Sequence, residues 1–327
     1  MAAPGHPYLV YLAALAAGLL TSCLALPLWR RWCLRIGLID HPGHRKIHET
    51  PVPLAGGLAV LTGLLVPIGA AALVLSLWPG GESLAAALAQ GMGQRAPQIV
   101  AIALGAVAIT LLGMLDDRHT MSAKTKFAGQ LAVAVLLVSV DLRVSLFLPV
   151  DALSYVVTVL WILTVINAFN FMDNMNGLCA GLGAIGALIF GLLAAAGGQY
   201  LVAPLAFLMC GALLGFLPHN FPEARAFLGD SGSHLVGYML AVMAILPHFH
   251  RVSETPEWAV LSPLLVLAIP LLDLVWVVLL RLRMGKPFYV GDTNHLSHRL
   301  VRRGLSKRDA VLLIWLGAAL IGGIALL

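Results

Sequence analysis

Five polar knots interrupt an otherwise apolar chain, His41–Pro53, Asp116–Lys126, Asn167–Gly177, Phe227–Ser233 and Asp292–Arg299, and their residue types suit phosphate and cation chemistry. Asp116 and Asp117 end an apolar run. Two carboxylates there can coordinate a divalent cation or accept a proton, although a solvated helix end neutralised by Arg118, Lys124 and Lys126 would read the same way. Asp230 stands among Gly229, Ser231, Gly232 and Ser233. Such small residues let backbone N–H groups approach a phosphate or leave room for a hydrated metal, and they also suit a plain loop before a helix. His295 and His298, next to Arg299 and downstream of Asp292, are spaced to share one face of a helical turn. Two imidazoles and a guanidinium suit a diphosphate, while a basic loop that only sets topology is the simpler alternative. His44-Arg45-Lys46-x-His48 precedes Pro51-x-Pro53-x-x-Gly56-Gly57, a basic turn that returns to apolar sequence at small residues. Asn167–Gly177 supplies four asparagines and Asp173.

The elements that carry these residues follow from composition. Of 327 residues, 60% are hydrophobic and 11% charged, and mean hydropathy is +0.93. Soluble domains carry about a quarter charged residues, so the chain reads as an all-α, polytopic membrane bundle. Apolar runs fall at about 8–28, 54–78, 98–115, 127–140, 155–169, 178–197, 199–218, 233–249, 259–280 and 308–327, giving about ten transmembrane helices. Met1–Pro7 has no Lys or Arg, so the first run is expected to be retained rather than removed as a signal. The chain shows no internal repeat and no second soluble region, and residues 1–327 read as a single integral-membrane domain.

Charge orients the bundle. Of the 20 Lys and Arg residues, all but Arg95, Arg143 and Arg251 fall on one alternating set of loops, beginning with Arg30, Arg31 and Arg35. By the positive-inside rule that set is cytoplasmic and both termini face outward. The five knots all lie on the cytoplasmic side, which is therefore the expected active face. A net charge of +5 and a pI near 9.2 are accounted for by topology, with no nucleic-acid partner expected. Cys23, Cys33, Cys179 and Cys210 lack metal or disulfide spacing and read as small buried hydrophobes. Asp273 lies within an apolar run, where an aspartate costs roughly 2.5–3.5 kcal/mol, and Arg281 or Arg283 is its expected partner. A transporter would place polar groups at mid-span in several helices; here they gather at one end.

In order and spacing, Arg45-Lys46-x-His48-x-x-Pro51-x-Pro53-x-x-Gly56-Gly57, Asp116-Asp117 with Lys126-x-x-x-Gln130, Asn167-x-x-Asn170-x-x-Asp173, Phe227-x-Gly229-Asp230-x-Gly232-Ser233 and His295-x-x-His298-Arg299-Leu300 resemble the polyprenyl-phosphate N-acetylhexosamine-1-phosphate transferases. The two ends of the pattern resemble the branch that loads GlcNAc-1-phosphate. Phospho-MurNAc-pentapeptide transferase is the related alternative, and a non-catalytic relative is another. The resemblance implies transfer of a sugar-1-phosphate from a UDP-sugar to undecaprenyl phosphate, with release of UMP, in the bacterial inner membrane. It implies Mg²⁺, with Mn²⁺ as a substitute, and a homodimer is a further expectation. By the same resemblance, Asp230 and Asn170 would hold the metal, and Asp116 or Asp117 would orient or deprotonate the lipid phosphate. Asn167, Asp173 and Asn176 would face the nucleotide. Lys126, His295, His298 and Arg299 would bind phosphate oxygens, and Arg45 and His48 would complete the sugar side. Two departures stand out. Asn174 and Asn176 replace a glycine and an acid of the family pattern, and Ser297 replaces a histidine. Asn at those positions is expected to tolerate positive φ or to bond a uracil edge.

Overall fold

The computed structural model of the chain describes residues 7–41, 51–77, 90–144, 151–247, 257–287 and 289–327. Arg45 and His48 lie outside them. The described elements are α1 (Pro7–Ile36), β1 (Ile39–Asp40), β2 (Val52–Pro53), α2 (Gly56–Leu77), α3 (Ala96–His119), α4 (Ala123–Ser139), α5 (Asp151–Met172), α6 (Leu178–Ala196), α7 (Val202–Phe216), α8 (Gly229–Met243), α9 (Ser262–Val266), α10 (Ala268–Arg283), α11 (Leu296–Arg302) and α12 (Lys307–Gly323). β1 and β2 form one short antiparallel pair, and the rest is an all-α bundle.

Among the described residues each apolar run coincides with a helix. Seven helices are long and apolar enough to cross a membrane, and the bent pair Trp258–Val266 with Ala268–Arg283 makes an eighth if it counts as one span. The remaining two, α4 and α8, have 17 and 15 residues, short of the roughly 20 needed to cross the hydrocarbon core alone. Leu20, Leu24 and Leu28 form an exposed stripe on α1 at helical spacing, as a lipid-facing surface requires.

Helix ends differ from apolar runs in a consistent direction. α3 continues past residue 115 through Asp116 and Asp117 to His119, α4 starts at Ala123 so that Lys126 is helical, and α8 starts at Gly229 so that Asp230 sits in its first turn. Hydropathy stops at a charged residue, whereas backbone hydrogen bonding does not. The expected span 259–280 is broken at Leu267 by a 69° bend. Pro270 has no N–H to give the carbonyl of Val266 and its ring would collide with it, so the helix restarts with Pro270 in its first turn.

α8 is the buried axis. All its residues except Asp230 are buried. Its surface is smooth where it meets its neighbours: a Cβ on Gly57 of α2, on Gly113 of α3 or on its own Gly237 would collide with Gly232, Asp230 or Ile166 backbone. A similar close approach joins α1 to α7 through backbone contact, since a Cβ on Gly18 would meet the Leu208 carbonyl and one on Gly211 or Gly215 would meet that of Leu15 or Leu19. The loop before α8 is gripped from the other side, since Phe227 N–H donates to Pro53 O (3.0 Å) and Gly56 N–H to Phe227 O (2.9 Å). The Pro51–Gly57 motif thus serves to hold the turn that presents Asp230.

Candidate active site

The ends of α3, α4, α5 and α8 meet around Lys126. Its Nζ lies 2.8 Å from Asp116 Oδ2, 2.8 Å from Asp230 Oδ2 and 3.4 Å from Asn170 Oδ1. Asn170 completes the ring by donating from Nδ2 to Asp230 Oδ1 (2.6 Å) and to Ser233 Oγ (3.0 Å). Asp230 is the more open of the two acids, with 30% of its side chain exposed against 9% for Asp116. Four residues far apart in sequence therefore present one cation and two anions at a single end of the bundle.

Asp117 does a different job from its neighbour. Its Oδ1 accepts from the N–H of Asp230 (2.8 Å) and its Oδ2 from the N–H of Ser231 (3.1 Å). A carboxylate on the first N–H groups of a helix satisfies orphan donors and complements the helix dipole. Gly229 is required beside it: its φ is +71°, and a Cβ there would lie 2.7 Å from Asp117 Oδ2. Asp117 positions Asp230 and leaves no oxygen free of that task, whereas Asp116 bonds Met121 N–H with one oxygen (2.6 Å) and Lys126 with the other.

The residues around Lys126 could hold a hard cation. Asp116, Asp230 and the Asn170 amide oxygen are the donors Mg²⁺ prefers, and Mg²⁺ is ordinarily held by one or two carboxylates together with substrate phosphates. Among the described residues no group of three His, Cys, Asp or Glu side chains is drawn together as a metal cluster. A cation here would complete its shell with substrate and water.

A second cluster lies across Phe171. The buried Asp273 bonds His295 Nδ1 (2.7 Å) and the N–H of Leu296 (2.6 Å), so it fixes the imidazole and caps α11. Arg281 pairs instead with Asp292 (Nε to Oδ2, 2.8 Å). The expected Asp273–Arg281 or Asp273–Arg283 pair is thus corrected, because the residue that ends in reach of Asp273 comes from a loop more than twenty positions on. Burial would raise the Asp292 carboxyl, but the Arg281 hydrogen bond and the Asn294 N–H outweigh it and hold the group below the usual range. His298, its ring centroid 6.3 Å from that of His295, is held below the ordinary imidazole range by burial and then by His295 and Arg302. Arg299 lies over the Trp276 ring at 4.6 Å. Phe171 links the clusters: it follows Asn170 directly, and its ring meets His295 at 5.5 Å and the Arg281 guanidinium at 4.8 Å.

Between the clusters, Asn167–Gly177 divides its residues. Asn167 spends Nδ2 on Gln130 Oε1 and Leu163 O, both at 2.8 Å. Asp173 is pushed well above the ordinary carboxylate range by burial and then by the charges of Asp230 and Asp117. Asn174 donates to Phe171 O (2.6 Å) and accepts from Ser297 Oγ (2.6 Å). Asn176 donates to Pro222 O (3.1 Å). Neither Asn174 nor Asn176 uses the tolerance of asparagine for positive φ: Gly177 alone in this turn adopts it, at +77°, with its N–H on Asn220 Oδ1 (2.6 Å). The asparagines are staples that use amide chemistry a glycine lacks. Sequence reading missed Ser233 and undervalued Asp273. A signal for the latter existed, since an aspartate within an apolar run must have found a partner.

The sequence profile of glycosyl transferase family 4 matches residues 99–248, which contain both acids of the first cluster. The chain is 33% identical over 311 residues to a Bacillus subtilis protein described as a probable undecaprenyl-phosphate N-acetylglucosaminyl 1-phosphate transferase, covering 93% of this chain and 80% of that one. It is 36% identical over 336 residues to the decaprenyl-phosphate N-acetylglucosaminephosphotransferase of Mycobacterium tuberculosis, covering 95% and 80%. It is 28% identical over 329 residues to the undecaprenyl-phosphate alpha-N-acetylglucosaminyl 1-phosphate transferase of Salmonella typhi, covering 97% and 83%.

Proposed function

The chain belongs to glycosyl transferase family 4, in the branch of the polyprenyl-phosphate N-acetylglucosamine-1-phosphate transferases, and from that premise we propose that it transfers GlcNAc-1-phosphate from UDP-GlcNAc to undecaprenyl phosphate at the cytoplasmic face of a bacterial plasma membrane. The observation that carries the reading is the bridge formed by Lys126 between Asp116 and Asp230, with Asn170 on its flank. A lone ammonium held by two carboxylates at the end of a membrane bundle gives a phosphate a cation to meet and a metal two anionic ligands.

The chemistry joins two anions. An oxygen of the lipid phosphate attacks the β-phosphorus of the UDP-sugar. A new P–O bond forms to the lipid, the bond from that phosphorus to the bridging oxygen breaks, and UMP leaves with the oxygen. Such transfers depend mainly on placement and on charge stabilisation. Asp230 and Asn170 would hold Mg²⁺, which supplies charge neutralisation on the diphosphate when bound. Lys126 offers its ammonium to the phosphate oxygens. Asp116 takes the proton of the lipid phosphate, while Asp117 keeps Asp230 in place. Asp173 and Asn176 line the uridine side, and His295, oriented by Asp273, presents Nε2 to the sugar phosphate. The lipid acceptor reaches this end of the bundle without its tail leaving the bilayer.

The test is UMP release by purified protein with Mg²⁺ across a panel of UDP-sugars. Release that needs undecaprenyl phosphate and is fastest with UDP-GlcNAc supports the reading. Preference for UDP-MurNAc-pentapeptide, or no release with any sugar, overturns it.

A further inference from the structure

Behind the charged ring lies a second layer that repeats it one helical turn deeper. Gln130 follows Lys126 by four residues on α4, His234 follows Asp230 by four on α8, and Asn167 precedes Asn170 by three on α5. Residues at those spacings share a helix face. Gln130 and His234 are both buried, at 1% and 0% exposure.

The hydrogen bonds of this layer run in one direction. The Leu163 carbonyl can only accept, so the Asn167 nitrogen is the atom that faces it at 2.8 Å. That nitrogen also lies 2.8 Å from Gln130, whose facing atom must then be oxygen. The remaining Gln130 nitrogen lies 3.4 Å from His234 Nε2. An amide nitrogen only donates, so Nε2 must carry a lone pair and His234 must carry its proton on Nδ1. That Nδ1 is buried and has no hydrogen-bonding partner among the described residues.

We propose that the Asn167–Gln130–His234 chain is the positioning layer of the active site, and that His234, as the neutral Nδ1–H tautomer, sets the rotation of α8 that brings Asp230 to Lys126. The reason is the surface of α8. It meets its neighbours through glycines at Gly57, Gly113 and Gly237. Asp117 on the first N–H groups of α8 and Tyr238 on the Ile102 carbonyl (3.0 Å) both tie the helix to α3. The Gln130–His234 contact, four residues below Asp230, ties it to α4, the helix that carries Lys126. No part of the transfer chemistry uses His234, and its place in the layer follows from the bonding order alone.

The proposal rests on the phosphotransferase reading, and two measurements separate the two. The first is the ¹⁵N spectrum of the histidine-labelled protein in nanodiscs at pH 7, with His234 assigned by difference from His234→Gln. A protonated Nδ1 and an unprotonated Nε2 are expected; the opposite tautomer or an imidazolium overturns the proposal, whatever the enzyme's activity. The second is steady-state UMP release. His234→Gln restores an acceptor near Nε2 and should keep kcat within about threefold, whereas His234→Asn and His234→Leu should lower it about tenfold with KM for the UDP-sugar nearly unchanged. A folded His234→Leu protein as fast as the parent, a Gln variant as slow as Leu, or a change confined to KM overturns the positioning role. A parent protein that releases no UMP defeats the transferase reading instead and leaves the tautomer result standing.

Discussion

Ser297 donates its hydroxyl to Asn174 Oδ1 across 2.6 Å, with Ser297 fully buried. Both stand in motifs that depart from the pattern the sequence resembles, and they touch. The amide at 174 bonds α11 through a short hydroxyl opposite it. The pair also ties the helix bearing His298 to the turn that follows Asn170.

That contact predicts coupling. Ser297→Ala and Asn174→Ala should each weaken thermal stability in detergent, and the double variant should lose less than the sum, with a coupling of about 1 kcal/mol. Ser297→His alone should be poorly tolerated, and Asn174→Gly in the same chain should relieve it, because the larger ring needs the volume the amide fills. Additive effects in the thermal midpoints would show that the two positions act independently.

The adjacent acids predict a split. Asp117→Ala removes the acceptor for two N–H groups of α8 and should lower stability by about 1–2 kcal/mol, in the range of a lost helix cap, together with activity. Asp116→Asn keeps an oxygen for Met121 and should leave the melting midpoint near that of the parent while UMP release falls. Equal effects on both readouts for both variants would contradict the division of labour.

Asp230→Asn should reduce UMP release by about 100-fold or more, the scale of removing a principal charged group from a transition-state site. Mg²⁺ titration is the accompanying check: the residual rate should need more metal than the parent. Unchanged metal dependence would place the cation elsewhere.

Asp292 gives a pH prediction. Its carboxyl is held below the ordinary range in the folded protein, so its pairing with Arg281 stabilises the fold above the unfolded-state pKa of about 3.9. That contribution is lost as pH falls through the lower folded-state value. Asp292→Asn should therefore destabilise at neutral pH and flatten the acid limb of a melting-point profile. With Arg281 at 1% exposure, weakening its charge-assisted bond to Asp292 should cost about 1–2 kcal/mol. A neutral-pH midpoint equal to the parent's would sink the assignment.

Much of the site was legible in the residues themselves. Asp116, Lys126, Asn170 and Asp230 stood out because polar groups are costly in an apolar chain and persist there for a reason. Among the described residues the apolar runs placed the seven long apolar helices but cut α3, α4 and α8 short at the charged residues that matter, since hydropathy weighs side chains and ignores backbone bonding. The distinct roles of Asp116 and Asp117 were not legible. Adjacent on one helix, they point about 100° apart, and only the arrival of the α8 backbone decides which is capped.

The chain by itself determined the class of the protein and the inventory of its chemistry: a helical membrane bundle whose acids, amides and imidazoles collect at one end. Those follow from composition and spacing along one dimension. The tertiary structure alone decided the partnerships, with His295 on Asp273, Arg281 on Asp292, Ser297 on Asn174 and His234 on Gln130. Each joins residues on separate elements, and a hydrogen bond a few ångströms long depends on how helices pack, which no local pattern encodes.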